Sequence, residues 1–153
     1  MSYHNGSVWP HDNALIALGL ARYGFKDAVG RLFKAQFETA TYMDLRRLPE
    51  LFCGFPRKQR SAPTAYPVAC SPQAWASAAP LALLQASLGL SFDHAARELR
   101  LDRPVLPEFI LELHLRRLRL GEASADLVLR RHDKDVAVNV IRREGDMRIV
   151  VMR

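Results

Sequence analysis

The stretch Tyr3-His4-Asn5-Gly6-Ser7-Val8-Trp9-Pro10-His11-Asp12-Asn13 concentrates side chains that could do chemistry. Its aromatic rings, histidines, asparagines and single carboxylate suit a site that grips polyhydroxylated molecules. A sugar needs its hydroxyls matched by groups that donate and accept, and its C–H faces covered by rings. The same residue types also suit a helix start whose side chains satisfy orphan backbone N–H groups, so composition leaves both readings open. His4 and His11 have no third ligand at a metal-binding spacing, and no metal site is expected. Asp12 reads as a first-turn partner of a helix dipole. Asp44 lies beside Arg46 and Arg47, whose charge would hold its carboxyl low and make it a poor acid. Glu50, after Pro49, reads by itself as a solvated glutamate.

These groups need elements to position them. Pro10 suits the first turn of a helix, where its missing N–H costs nothing. From there Leu15, Ile16, Leu18, Leu20 and Tyr23 fill most of the circumference, which predicts a buried helix ending near Gly24. Val29, Leu32, Phe33, Gln36 and Phe37 recur at three and four, which predicts an amphipathic helix over about 27–41, antiparallel to the first. Residues 42–70 show no long period, yet Leu48, Leu51, Phe52, Phe55 and Tyr66 argue for an ordered loop. Ser71 and Pro72 read as N-cap and first residue of a third, nearly all-apolar helix running to Leu88.

Beyond Leu90 the period shortens to two. Ala96–Leu101, Leu111–Leu120, Ala125–Arg131, Val136–Ile141 and Arg148–Met152 read as strands of an antiparallel meander. His132-Asp133-Lys134 and Glu144-Gly145-Asp146 read as its polar turns, and Asp126 and Asn139 as surface or turn-supporting residues. The expected division is therefore residues 1–90, helical, and 91–153, a small β unit.

Composition narrows the function classes. The chain has 153 residues, 49% of them hydrophobic, and a net charge of +6. The charges are mixed: 13 basic and 11 acidic residues alternate over 91–153, with no basic run or aromatic-basic platform for nucleic acid. The longest apolar stretch, Ala74–Leu84, is too short to span a bilayer, and no signal sequence stands at the N-terminus. Cys53 and Cys70 have no framework spacing and read as buried thiols of a reducing compartment. A cytoplasmic protein with no nucleic-acid or membrane partner is expected.

Three segments, YHNGSVWPHDNALIALGLARYGF, RLPELFCGF and YPVACSPQAWASAAPLALLQASLGL, together resemble the C-terminal part of bacterial glycogen-debranching-type amylo-α-1,6-glucosidases. These are similar to the wider glucoamylase-like glycoside hydrolases. The resemblance implies a mainly α fold with a β tail, its helical hairpins forming the last part of an (α/α)6 toroid. It implies that Asn5, Trp9 and His11 line the sugar-binding end, with Gln73 and Trp75 close by. Glu50 would match the catalytic general base of an inverting reaction on α-glucans, with no cofactor. The general acid of such enzymes comes from an earlier part of the chain, so isolated residues 1–153 are expected to be inactive. The alternative is a non-catalytic helical module that binds carbohydrate or protein. Either way, self-association or pairing with a missing N-terminal part is expected through Leu15, Leu18, Leu81 and Leu84.

Overall fold

The computed structural model describes residues 1–58, 60–133 and 135–153. They divide into two compact units, Met1–Leu84 and Gln85–Arg153. The first contains β1 (Ser7–Val8), α1 (Pro10–Arg22), α2 (Lys26–Ala40), a 3-10 turn (Asp44–Arg46) and β2 (Phe52–Cys53), and it holds the start of α3 (Ala74–Leu88). Pro10 is the first residue of α1, as its fixed φ and missing N–H favour. Gly24 takes φ +86° at the other end, and its N–H bonds the Ala21 carbonyl at 3.0 Å. That left-handed residue turns the chain within three residues, so α1 and α2 form a hairpin. Gln36 of α2 closes it, donating from its side-chain amide to the Pro10 carbonyl at 3.0 Å.

The burial of α1 is the reverse of what its large side chains suggest. Its buried face is Pro10, Ala14, Ala17 and Ala21. Leu15 and Ile16 are 65% and 54% exposed, and Tyr23 is 79% exposed. Three alanines on one face bring α1 close to its neighbours, which leaves the larger residues outside. The loop after α2 supplies the core instead: Leu48 and Phe52 pack with Ala40 and Ala76, and Met43 covers them. β1 and β2 pair antiparallel, Val8 opposite Phe52, which ties the N-terminal stretch to this loop. The third helix begins at Ala74 rather than Pro72, with the Gln73 carbonyl taking the Ser77 N–H at 2.8 Å. The cysteines are not buried: Cys53 is half-buried and Cys70 exposed, both as free thiols.

The second unit holds β3 (Leu90–Asp93), β4 (Glu98–Asp102), β5 (Glu112–Leu120), β6 (Ala123–Arg131), β7 (Val136–Glu144) and β8 (Arg148–Met152). Strands β5, β6 and β7 form the expected antiparallel meander. Strand β8 leaves it to pair parallel with β4, which also pairs antiparallel with β3. Leu127 and Leu129 share one buried face of β6, and Val128 on the other face is buried as well. Two bulges flank Asp126, one in β5 between Leu115 and Leu118 and one in β7 between Val140 and Arg142. Asp126 accepts the Arg117 N–H at 2.6 Å, and Arg117 takes φ +55°. The turn between β6 and β7 has His132 donating its N–H to the Asp135 carbonyl at 2.9 Å, while Lys134 lies outside the described residues.

A mainly α toroid fragment with an antiparallel tail is therefore not the fold. Among the described residues there are three α-helices and eight strands in three sheets, about 30% of the chain in each class. Only α1 and α2 make a helical hairpin, and a toroid is a closed ring of such hairpins. The tail is two separate three-stranded sheets, one containing a parallel pair. No helix among the described residues is long and apolar enough to cross a membrane.

Candidate functional site

The pairing of β1 with β2 carries Tyr3 to Glu50, and a site is assembled there. Tyr3 donates its phenolic proton to Glu50 Oε1 at 2.5 Å. Glu50 Oε2 accepts the Cys70 N–H at 3.3 Å, and the Glu50 N–H donates to the Cys70 carbonyl at 2.9 Å. The residue is 8% exposed, so it is no solvated glutamate. A buried carboxylate requires such donors, because leaving its oxygens unmatched costs several kcal/mol, about 2–7 for a neutral polar group and more for a charge. Both donors here are neutral. No cationic side chain among the described residues pairs with Glu50. The accepted hydrogen bond favours the protonated phenol, and with burial and the nearby negative charge it pushes the Tyr3 pKa up to about 12.

Aromatic rings surround this pair. Tyr3 meets Trp9 edge-on at 4.9 Å between centroids, His4 at 4.8 Å and Tyr66 at 5.7 Å. His4 lies parallel to Trp9 at 5.7 Å. His11 stacks on Trp75 at 4.3 Å and meets Trp9 edge-on at 5.6 Å. Six rings thus form one continuous cluster from the N-terminal stretch, the loop and the start of α3. Trp75 remains 49% exposed. His11 Nε2 stands 3.2 Å from Asp12 Oδ1. Its buried Nδ1 has no hydrogen-bond partner among the described residues.

No family model matches this chain, and no curated protein matches it.

Of the expected site residues, Trp9, His11, Trp75 and Glu50 come together. Asn5 is exposed, and its backbone exchanges hydrogen bonds with Ser2. Gln73 is half-buried and bonds through its backbone, its N–H reaching the Leu48 carbonyl at 3.2 Å. Neither side chain is joined to the cluster. Asp44 is exposed on the 3-10 turn, and Asp12 is exposed beside His11, so neither is bonded to Glu50. Tyr3, His4 and Tyr66 are the members that the resemblance did not place at the sugar-binding end, although His4 was weighed as a metal ligand. Tyr3 had a visible signal, since it opens the polar-aromatic stretch. Tyr66 was visible only as part of an ordered, aromatic-containing loop, because its exact place depends on how the loop folds back.

No group of three or more His, Cys, Asp or Glu side chains among the described residues is arranged to hold a metal. A separate cleft of about 740 Å³ lies beside β2, lined by Val8, Tyr42, Phe52, Cys53, Phe55 and Arg57 among others. Its volume is in the range of small-molecule sites, about 300–1,000 Å³. None of the six clustered rings lines it. Arg57 there is bonded to Glu38 at 2.6 Å, so its charge is already matched.

Proposed function

We propose that this chain is the C-terminal portion of a glycoside hydrolase acting on α-glucans, of the glycogen-debranching α-1,6-glucosidase type, working in the cytoplasm. The observation that carries the reading is the buried Glu50 carboxylate held by Tyr3 and the Cys70 N–H within an aromatic cluster. Aromatic faces cover the C–H surfaces of a glucosyl unit, and histidine nitrogens match its hydroxyls. Glu50 is the general base. In an inverting displacement it takes a proton from water while the water oxygen attacks the anomeric carbon. The bond to the leaving glycosidic oxygen breaks as a second carboxylic acid protonates it, roughly 6.5–9.5 Å from the base. That acid comes from outside these residues, and the chain alone releases no glucose from branched glucan.

Both tryptophans of the chain, Trp9 and Trp75, belong to the cluster, so their fluorescence reports it directly. Titration with malto-oligosaccharide is expected to give a saturable change in emission that Trp9→Ala weakens. No change at millimolar sugar would overturn the proposal. A second reading keeps the binding and drops the chemistry: both oxygens of Glu50 are occupied, as in a residue that only pins the loop. The non-catalytic module then binds sugar as before and has no turnover for Glu50→Gln to lower.

A further inference from the structure

The outer face of α1 presents an ordered set of side chains. Asp12, Leu15, Ile16, Gly19, Arg22 and Tyr23 are all exposed, and their spacing of three and four places them on one stripe. The stripe is acidic at its start, basic at its end and apolar between. Gly19 makes a notch in it: a Cβ built there would meet no atom within 4 Å. The Asp12 side chain is 58% exposed despite its contact with His11.

We infer that this stripe is the interface with a second copy of the chain, packed antiparallel across a two-fold axis near Ala17. In that register Asp12 of one copy comes level with Arg22 of the other. Leu15 comes level with Gly19, a knob against a notch. A two-fold interface requires a surface complementary to itself, and each contact then occurs twice. Few surfaces meet that condition. An unrelated apolar partner would need a cation, a bulky aliphatic and an anion in the reverse order, which is what this helix supplies when run backwards. Opposed helix dipoles add a further small attraction, and the glycine allows the axes to approach at the short end of the 8–10 Å range. Leu15 and Ile16, which the internal packing of the first unit leaves outside, are covered in this arrangement.

The test is sedimentation velocity of the full 153-residue chain over a range of concentrations, with charge swaps across the pair. Asp12→Arg and Arg22→Asp each set like charges level twice per dimer, and each is expected to weaken association about tenfold. The double variant restores opposite charges in reversed order and is expected to regain the wild-type constant. Gly19→Gln is the second probe. It exchanges a poor helix former for a good one, so the fold survives while the notch is filled, and association is expected to weaken with thermal stability unchanged or raised. A wild-type chain that stays monomeric at all concentrations overturns the inference. So does association indifferent to the single swaps or to Gly19→Gln, which would run through another face such as that of Trp75 and Leu81. A double variant as weak as the singles also overturns it, because the charges then do not meet.

Discussion

Glu50 and Glu98 are equally buried, each 8% exposed, and they live in opposite surroundings. Glu50, in the first unit, is held by a phenol and a backbone N–H. Glu98, on β4 of the second, is held by two guanidiniums, Arg100 at 2.6 Å and Arg148 at 2.6 Å from the neighbouring β8. Asp93 on β3 adds a further contact to Arg100 at 3.0 Å. Glu98 ties β4 to β8, and Arg100 extends the tie to β3. Glu50 has two neutral donors and no ion pair among the described residues. Burial alone therefore does not distinguish the two carboxylates; what surrounds each does.

The comparison breaks most sharply through Glu50→Gln. In an active form of the protein this substitution is expected to lower turnover by about 10²–10⁴-fold while sugar affinity changes little, because the ring faces are untouched. Glu98→Gln is expected to leave both quantities alone and to lower thermal stability. Steady-state kinetics beside a binding titration separates them, and a near-wild-type rate for Glu50→Gln removes that residue from the mechanism.

The next effect lies in the cores. Leu129→Ala deletes a side chain with no exposed surface from β6 and is expected to cost about 2–5 kcal/mol. Leu48→Ala does the same beneath the Glu50 loop and should cost a similar amount. Only Leu48→Ala should also perturb tryptophan emission, since both tryptophans belong to the first unit. Urea unfolding followed by fluorescence and by circular dichroism distinguishes the two. Gly89→Ala is a smaller backbone change. Gly89 takes φ +59°, and an added Cβ would meet the Asp102 backbone nitrogen at 2.9 Å and run into its carbonyl oxygen. A loss of about 1–3 kcal/mol is expected by the same measurement.

The two regions also answer to opposite ends of the pH scale. Tyr3 has its folded pKa raised, by the hydrogen bond to Glu50 first, to about 12. Its contribution is thus complete below the ordinary tyrosine value of about 10 and is lost as pH rises through the folded value. Among the four tyrosines, Tyr3 should ionise last in an ultraviolet titration, and Tyr3→Phe should remove that phase. Asp93 and Glu112 are lowered instead, Asp93 chiefly by the Ala96 N–H and Glu112 chiefly by Arg130 and then His114. Their contributions are present above the ordinary carboxylate range and are lost as pH falls through the folded values. Acid should therefore loosen the second unit through these groups, and alkali the Tyr3–Glu50 contact. The smallest effect is expected from Arg142→Ala, which removes an exposed pair with Glu144 and should leave the melting temperature unchanged.

The helical hairpin was legible because its signals are local. Pro10, the apolar repeat of α2 and Gly24 each act within a turn or two. Which side of α1 is buried was not legible, since alanines outcompeted leucines for the inner face, and no window of sequence weighs one neighbour against another. Alternation likewise showed where β4 and β8 run but not that they pair in parallel, with 148 set against 98. β3 was missed because four residues after a helix stop carry too little pattern. Glu50 illustrates the same limit in the site. Its chain neighbours suggest solvent, and its burial depends on Tyr3 and Cys70, 47 and 20 residues away. The toroid failed for a related reason: short segments can resemble those of a family while the elements that carry them differ.

The bulges on either side of Asp126 bear on how the molecule avoids polymerising. In the β5-β6-β7 sheet the outer strands are β5 and β7, each nine residues long and open to pairing along its free side. Long straight edges of this kind template the addition of foreign strands and can seed fibres. Here each one is interrupted by an extra residue near its middle, with Arg116 and Arg117 at one break and Arg142 beside the other. A strand approaching either side finds a register it cannot follow and a charge it would have to bury. One aspartate in the central strand accepts the Arg117 N–H at the first of these interruptions, so a single carboxylate helps shape that edge against pairing.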